Sequence, residues 1–429
     1  MRIIITGAGI GGLVAALSLR AAGFDEITLL ESAPEIRPIG VGLNILPNAI
    51  RELDELGVAE RLYEIAVSTG SLSYYNRFGS VIWTEPRGIS AGYHWPQLSI
   101  HRGRLQGVLL ETVRERLGAD AIISDARVTE FESTPDGGVQ VAVAHRVGGN
   151  TRMCADLLVG ADGIHSAVRA VMYPREGGPR WNQLVVWRGT TWAKPFLDGR
   201  TMIIAGDRCR RAVVYPMSTP IAPGAPVLTN WAVARRAEEG QIPNRADWNR
   251  AVEPERFLAN FADLAFGWLD VPGLIRSADQ ALEYPMVDRD PLPRWACGRA
   301  TLLGDAAHAM NPMGSNGATQ SIVDGRVLAK ALAGHRDLND ALLIYEAERR
   351  PAMTALQETN RRMGPEVIID LADERAPGGF DLIEQVIPVV ELAEISQSYA
   401  DLGAGDPHTV NTRPSFSVTP VTAAGGGQV

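Results

Sequence analysis

Three glycines, Gly7-x-Gly9-x-x-Gly12, stand between a β-branched run at residues 2–6 and a helical spacing of Leu13, Val14, Leu17 and Arg20 that stops near Gly23. No other feature of the chain restricts its fold so tightly. Residues 26–31 read as a second strand, so the unit is strand, helix, strand, which makes the two strands parallel neighbours. Gly7 permits the tight turn, Gly9 lets backbone approach a pyrophosphate, and Gly12 lets the helix lie close to the sheet. The helix start offers free N–H groups to an anion, and Glu31 at the end of the second strand can accept hydrogen bonds from an adenosine ribose. A dinucleotide-binding α/β unit is predicted. The glycines alone do not choose between a nicotinamide and a flavin dinucleotide.

Apolar runs at 155–161 and 299–304 also end in glycine and aspartate, as strands do when they deliver a loop to a ligand, so the sheet is expected to be assembled from distant pieces. Between 175 and 295 the texture changes. Thr, Val, Tyr and Trp alternate at 184–192, 200–205, 212–216 and 227–234, which predicts a separate, mainly antiparallel sheet, with hairpin-like alternation also at 71–83 and 138–146. Helical periodicity returns at 318–362 and 381–402. With 429 residues there is room for two to three compact units. The predicted division gives the dinucleotide-binding domain residues 1–70, 99–174 and 296–362, and the substrate domain 71–98 and 175–295; a helical segment at 363–404 follows. Residues 405–429, rich in Gly, Thr, Pro and Ala, are expected to be disordered.

Several function classes are disfavoured. Fifty acidic against forty-one basic residues leave a net charge of -9, which repels nucleic acid and anionic membranes. No apolar run approaches the roughly 18 to 20 residues of a spanning helix. Cys154, Cys209 and Cys297 have no CxxC spacing and the seven histidines no HExxH spacing, so no disulfide framework and no metal site is predicted, and a cytoplasmic location is expected.

Two further patterns bear on the cofactor. Gly160-Ala161-Asp162-Gly163 with His165-Ser166-Ala167-Val168-Arg169, and Gly304-Asp305-Ala306-Ala307-His308 with Pro312-Met313-Gly314-Ser315-Asn316-Gly317, each put a strand-end acid before a helix start. Here the sequence resembles the flavoprotein aromatic hydroxylases, single-component FAD monooxygenases similar to para-hydroxybenzoate hydroxylase. The likeness extends to Arg37-Pro38-Ile39-Gly40-Val41-Gly42-Leu43-Asn44, Ser99-Ile100-His101-Arg102-Gly103-Arg104-Leu105, Trp187-Arg188-Gly189 and Tyr345-Glu346-Ala347-Glu348-Arg349-Arg350-Pro351, and is strongest to the phenazine-carboxylate hydroxylase branch. It implies a Rossmann-like FAD-binding domain, a mainly antiparallel β-sheet substrate domain and C-terminal helices. It implies tightly bound FAD, NADH or NADPH as a transient co-substrate, and O2-dependent hydroxylation of an aromatic or polycyclic small molecule through a flavin hydroperoxide. Decarboxylation, NADH against NADPH, and monomer against dimer stay open.

By the same resemblance the cofactor residues are Gly7, Gly9, Gly12, Glu31, Gly42, Arg102, Val128, Asp162, Asp305, Gly314, Asn316 and Gly317. Asp305 would hold the ribityl chain, the helix start near Gly317 would face the pyrimidine edge of the isoalloxazine, and Arg102, preferred over Arg104, would reach the diphosphate or ribityl region. Val128, after a strand at 121–128, would contact adenine through its backbone. Asp162 and Asp305 also suit plain helix capping. Arg169 is divided between nicotinamide phosphates and an ion pair with Asp162, and His308 is expected to be structural rather than a base. For the substrate the candidates are Arg188, as an anchor for a carboxylate or phenolate, and Tyr215 and Trp231 as chamber walls, each with a core reading beside it; no catalytic base is identified. The competing functions are a non-catalytic flavin-binding sensor and, more remotely, a flavin halogenase, whose WxWxIP segment the chain lacks.

Overall fold

The β-branched opening forms a strand, Arg2–Thr6, buried at every residue but the first, so it lies at the centre of its sheet. The computed structural model describes residues 1–38, 40–238 and 250–418; Ile39 of the glycine-loop motif, part of the predicted substrate domain and the last residues of the expected tail lie outside them. Glu26–Leu30 pairs parallel on one side of the opening strand and Leu157–Gly160 on the other, with Ala300–Leu302 parallel beyond that. Ile122–Ile123 and Ala296–Cys297 complete this six-stranded sheet at its two edges. Neighbouring strands are thus drawn from opposite ends of the chain. Helix Ile10–Ala21 packs beside helix Asn316–Gly334, where a Cβ on Gly325 would stand 2.9 Å from the Ala15 nitrogen.

The second sheet has eight strands, in the order Arg250–Val252, Ala281–Asp288, Arg180–Ala193, Val227–Arg236, Arg210–Pro216, Thr201–Gly206, Ser71–Asn76 and Val81–Pro86. It is antiparallel throughout except where Thr201–Gly206 runs parallel to Ser71–Asn76. Its strands alternate, so one face is packed and the other borders a cavity. The packed face carries Trp187, Val214, Trp231 and Val233 against Phe257 and Phe261, with the Trp187 and Phe257 rings stacked 4.8 Å apart. The predicted hairpin at 138–146 lies apart, in a three-stranded sheet of Arg127–Ser133, Val139–Ala144 and Asn150–Ala155.

Three expectations need correction. The helical stretch at 318–362 is two helices, Asn316–Gly334 and Leu338–Arg361, because Asp337 stops to cap the second, accepting the Asn339 and Asp340 N–H groups. The stretch at 381–402 has one 3-10 turn at Ile383–Gln385 and becomes α-helical only at Val389, after Pro388. Of the expected loose tail, residues 405–418 are built into the fold: Asp406 caps a helix at Pro407–Thr412, the Arg51 guanidinium donates to the carbonyls of Val410 (2.6 Å) and Arg413 (2.7 Å), and Phe416 and Val418 pack on the core. Among the described residues no helix is long and apolar enough to cross a membrane.

Candidate active site

Between the carboxyl ends of the parallel strands and the open face of the large sheet lies a cavity of about 450 Å³. Nine of the predicted residues line it: Gly9, Gly42, Arg102, Arg188, Tyr215, Asp305, Gly314, Asn316 and Gly317.

At the nucleotide end, Gly7 takes φ +90°, and a Cβ on Gly12 would stand 2.0 Å from the Gly7 carbonyl oxygen, so turn and helix meet backbone to backbone. A Cβ on Gly9 would meet nothing within 4 Å, which leaves space in front of a helix start that no side chain caps. The Glu31 carboxylate accepts the N–H groups of Ala8 and Ala33, both at 2.8 Å, and so braces the glycine turn while its other lone pairs remain for a ribose. The expected strand at 121–128 is two pieces, Ile122–Ile123 and Arg127–Ser133, broken where Asp125 adopts φ 54°. Asp125 and Ala126 donate to the carbonyls of Ala33 and Glu31, so the break holds this segment beside Glu31, while the Val128 side chain enters the core.

Asp162, between the cavity-lining Ala161 and Gly163, acts as a helix cap. Its Oδ2 accepts the N–H groups of Ala167 (2.7 Å) and Val168 (3.4 Å), and its Oδ1 is buried without a protein partner. Burial pushes the carboxyl above the usual carboxylate range. Arg169 does neither of the things expected of it. Its guanidinium pairs with Glu176 and donates to the carbonyls of Ala306 (3.1 Å), Ala307 (3.0 Å) and Asp290 (2.9 Å), tying the first acid corner to the second. Asp305 faces the cavity; burial raises its carboxyl, opposed by His308 and Arg102. The corner behind it is held by Asp324, a residue without a motif to announce it. Asp324 accepts from Gly304 N (3.0 Å), His308 Nε2 (2.6 Å) and Arg349 Nε (2.7 Å), which makes His308 structural.

Beyond Asp305 the Asn316–Gly334 helix starts with no side-chain cap, and Gly317 leaves room toward Asp305 Oδ1, 3.9 Å from where its Cβ would be. The Asn316 side chain is turned away: its Nδ2 donates to Tyr399 Oη at 3.1 Å, so only its backbone faces the cavity. Gly314 is required at φ +63° because a Cβ there would lie 2.0 Å from the Tyr399 ring. Arg102, and not Arg104, lines the cavity beneath the Gly40–Gly42 turn. Burial and the Arg188 guanidinium work against its charge, and Asp305 favours it. The open cradle at Gly9, the unpaired Asp162 oxygen and the two uncapped helix starts fit a dinucleotide with a flavin ring at the far end.

In the chamber next to it, Tyr215 touches the Gly42 turn, whose N–H donates to Asn230 Oδ1 at 2.8 Å. Burial pushes the Tyr215 phenol far up, so it stays protonated. Arg188 lays its guanidinium over the Tyr284 ring, 3.7 Å from the centroid, and its Nε has no hydrogen-bond partner. Trp231 does not line the chamber. It is fully buried on the opposite face of its strand and donates to Thr191 Oγ1 at 3.1 Å. A Trp231→Phe enzyme is therefore expected to lose about 1–3 kcal/mol of stability in denaturant titration with aromatic-ligand affinity unchanged. A shifted ligand affinity would return this residue to the chamber wall.

A dinucleotide cleft that opens into a largely apolar chamber within one chain is what a flavin-dependent aromatic hydroxylase requires, and the protein is a flavoprotein monooxygenase of that class. Residues 1–360 match the model of the FAD binding domain family, and the chain belongs to it. It is 48% identical over 362 residues to the phenazine 1,6-dicarboxylic acid hydroxylase PhzS of Lysobacter antibioticus, covering 84% of this chain and 89% of that one. It is 32% identical to the aurachin C monooxygenase/isomerase of Stigmatella aurantiaca, over 81% and 85% of the two chains. Among solved structures, Klebsiella pneumoniae HpxO complexed with FAD and uric acid shares the fold, with a TM-score of 0.71, 23% identity and 96% of each chain covered.

Proposed function

We propose that the protein hydroxylates a planar polycyclic aromatic acid of the phenazine type, with NADH or NADPH as electron donor and O2 as oxidant. The floor of the chamber carries this reading. On the central strands the cavity-facing residues are Val186, Ala232, Ala234 and Val213, whose short side chains leave a flat apolar slot suited to fused rings. Identity of 48% to a phenazine dicarboxylate hydroxylase supports the same substrate class.

Bound FAD supplies the electron relay from the nicotinamide and the activation of oxygen. The protein's own residues position and shield. Gly7, Gly9 and Gly12 with Glu31 would hold the adenosine diphosphate, Asp162, Arg102 and Asp305 the linker, and the backbone at Asn316–Gly317 the ring edge. Leu184, Met202, Ile204, Met286 and Met313 exclude water from the reacting ring. Arg188, with its open Nε, would orient a carboxylate or phenolate of that ring, and Tyr215 with Asn230 would keep the Gly42 turn in place.

The test is NAD(P)H consumption by the yellow holoenzyme with phenazine carboxylic acids, phenols and monocyclic aromatic acids. The expected result is stimulation by phenazine acids, with a product one oxygen heavier or one in which hydroxyl replaces carboxyl. Stimulation that yields only peroxide, or turnover confined to monocyclic acids, would overturn the reading.

A further inference from the structure

The chamber has a second polar end. Along Arg210–Pro216 the cavity-facing residues run Tyr215, Val213, Arg211, and along the adjacent strand they run Asn230, Ala232, Ala234, Arg236 in the same direction. Tyr215 and Asn230 stand at the Gly42 turn; Arg211 is four residues further on, about 14 Å at the rise of a strand. One more register step links Val213 through Ile204 to Tyr74, which places Tyr74 at the side of the same floor.

Five buried polar side-chain atoms that belong to cavity-lining residues make no hydrogen bond among the described residues: Tyr74 Oη, Arg87 Nε, Arg188 Nε, Arg211 Nε and Gln97 Oε1. Four of the five are donors. Arg188 belongs to the reacting end described above, whereas Tyr74, Arg87 and Arg211 share a wall with Glu366. Their own charges are largely balanced. Arg87 pairs with Glu85, which Ser396 also contacts, and Arg211 Nη2 donates to Asp370 at 2.5 Å with Glu366 Oε2 3.6 Å from its Nε. Buried donors left without acceptors cost free energy until a ligand meets them.

We propose that Tyr74, Arg87, Arg211 and Glu366 form a receiving wall for a second carboxylate, carried on the ring of the substrate farthest from the flavin. The proposal rests on the reading of this cavity as the substrate chamber and adds its selectivity for diacids. Glu366 sets its pH dependence. Burial pushes its carboxyl up to about 7, with Arg211 pulling down and Asp370 pushing up, and Tyr74, Arg87 with Glu85, and Tyr399 are the other charged or titratable groups that face this wall. Below about pH 7 the neutral Glu366 adds an O–H donor; above it, a carboxylate there repels the incoming one. Diacid affinity should therefore fall by up to about tenfold per pH unit above pH 7.

The decisive measurement is equilibrium titration of the oxidised holoenzyme with phenazine-1,6-dicarboxylate and phenazine-1-carboxylate, read by the change in flavin absorbance. The wild type is expected to bind the diacid about tenfold or more tightly than the monoacid at about pH 6.5, with the preference shrinking at about pH 8.5. Arg211→Leu should bring the ratio of the two dissociation constants to about one, and Glu366→Gln should make the ratio independent of pH. A ratio that survives Arg211→Leu, or a pH dependence that survives Glu366→Gln, overturns the proposal. If Arg211→Leu does not fold, the wild-type and Glu366→Gln pH series decides alone. A wild type that hydroxylates both acids without preference overturns the receiving wall only; one whose flavin neither acid perturbs, and whose NAD(P)H consumption neither raises, overturns the substrate assignment itself.

Discussion

A Gly9→Val protein is expected to emerge folded but colourless. Among the described residues no atom beyond its chain neighbours lies within 4 Å of the position a Cβ would take at Gly9, so the added side chain costs the fold little and fills the space in front of the first helix. That space is where a pyrophosphate would meet the free N–H groups. FAD content after reconstitution should fall by about two orders of magnitude or more, a loss of roughly 3 kcal/mol, while the circular-dichroism spectrum and the melting temperature of the FAD-free protein stay as in wild type. Gly12→Val is the contrast. Its Cβ would overlap the Gly7 carbonyl oxygen at 2.0 Å, a backbone atom that cannot step aside, so this variant should lose stability as well as colour. Full flavin occupancy in Gly9→Val would show that the cleft is not the cofactor's seat.

The second large effect concerns Asp324. Replacing it with alanine would leave Arg349 and His308 facing each other in the core and remove the acceptor for Gly304 N–H, so a loss of about 3–5 kcal/mol in chemical denaturation is expected. Its pH signature follows from the carboxyl itself. Burial alone would raise it, but His308 and Arg349 outweigh that and hold it at about 2, below the 3.8 of an ordinary aspartate. A folded-state value below the unfolded one means that the carboxylate stabilises the protein above about pH 4 and that this contribution, about 2 kcal/mol, disappears as the pH falls toward 2. Asp324→Asn should flatten that acid limb. An unchanged limb would mean that the network is not coupled to folding.

The glycine turn, the two acid corners and the split into a parallel and a mainly antiparallel sheet were legible in the sequence because each is local: a short run, a turn, an alternation. The sides of the sheet were not. Strand alternation places Asn230 and Trp231 on opposite faces of Val227–Arg236, but it does not say which face is packed under Phe257 and which borders the chamber. Arg169 was misread for a related reason. Its partners include the carbonyls of Ala306 and Ala307, more than a hundred residues away in the chain, and no spacing rule connects them. Asp324, Arg211 and Glu366 were passed over because a lone acid or base within a helix or strand is ordinarily solvated. The helix at Pro407–Thr412 did have a signal, Asp406 followed by Pro407, hidden under a composition that suggested a loose end.

The central sheet has a consequence for biosynthesis. Its amino-terminal strand is flanked by segments from the first tenth and the middle of the chain, and the strand that delivers Asp305 follows only at Ala300–Leu302. Helix Asn316–Gly334, which packs against the first helix, comes later still. A ribosome must release well over 300 residues before the two ends of this platform can meet, so a nascent chain waits with Leu157–Gly160 as an uncovered edge, open to chaperone capture and to aggregation. Colour acquired during translation would therefore arrive late, and prematurely terminated products should contribute none of it.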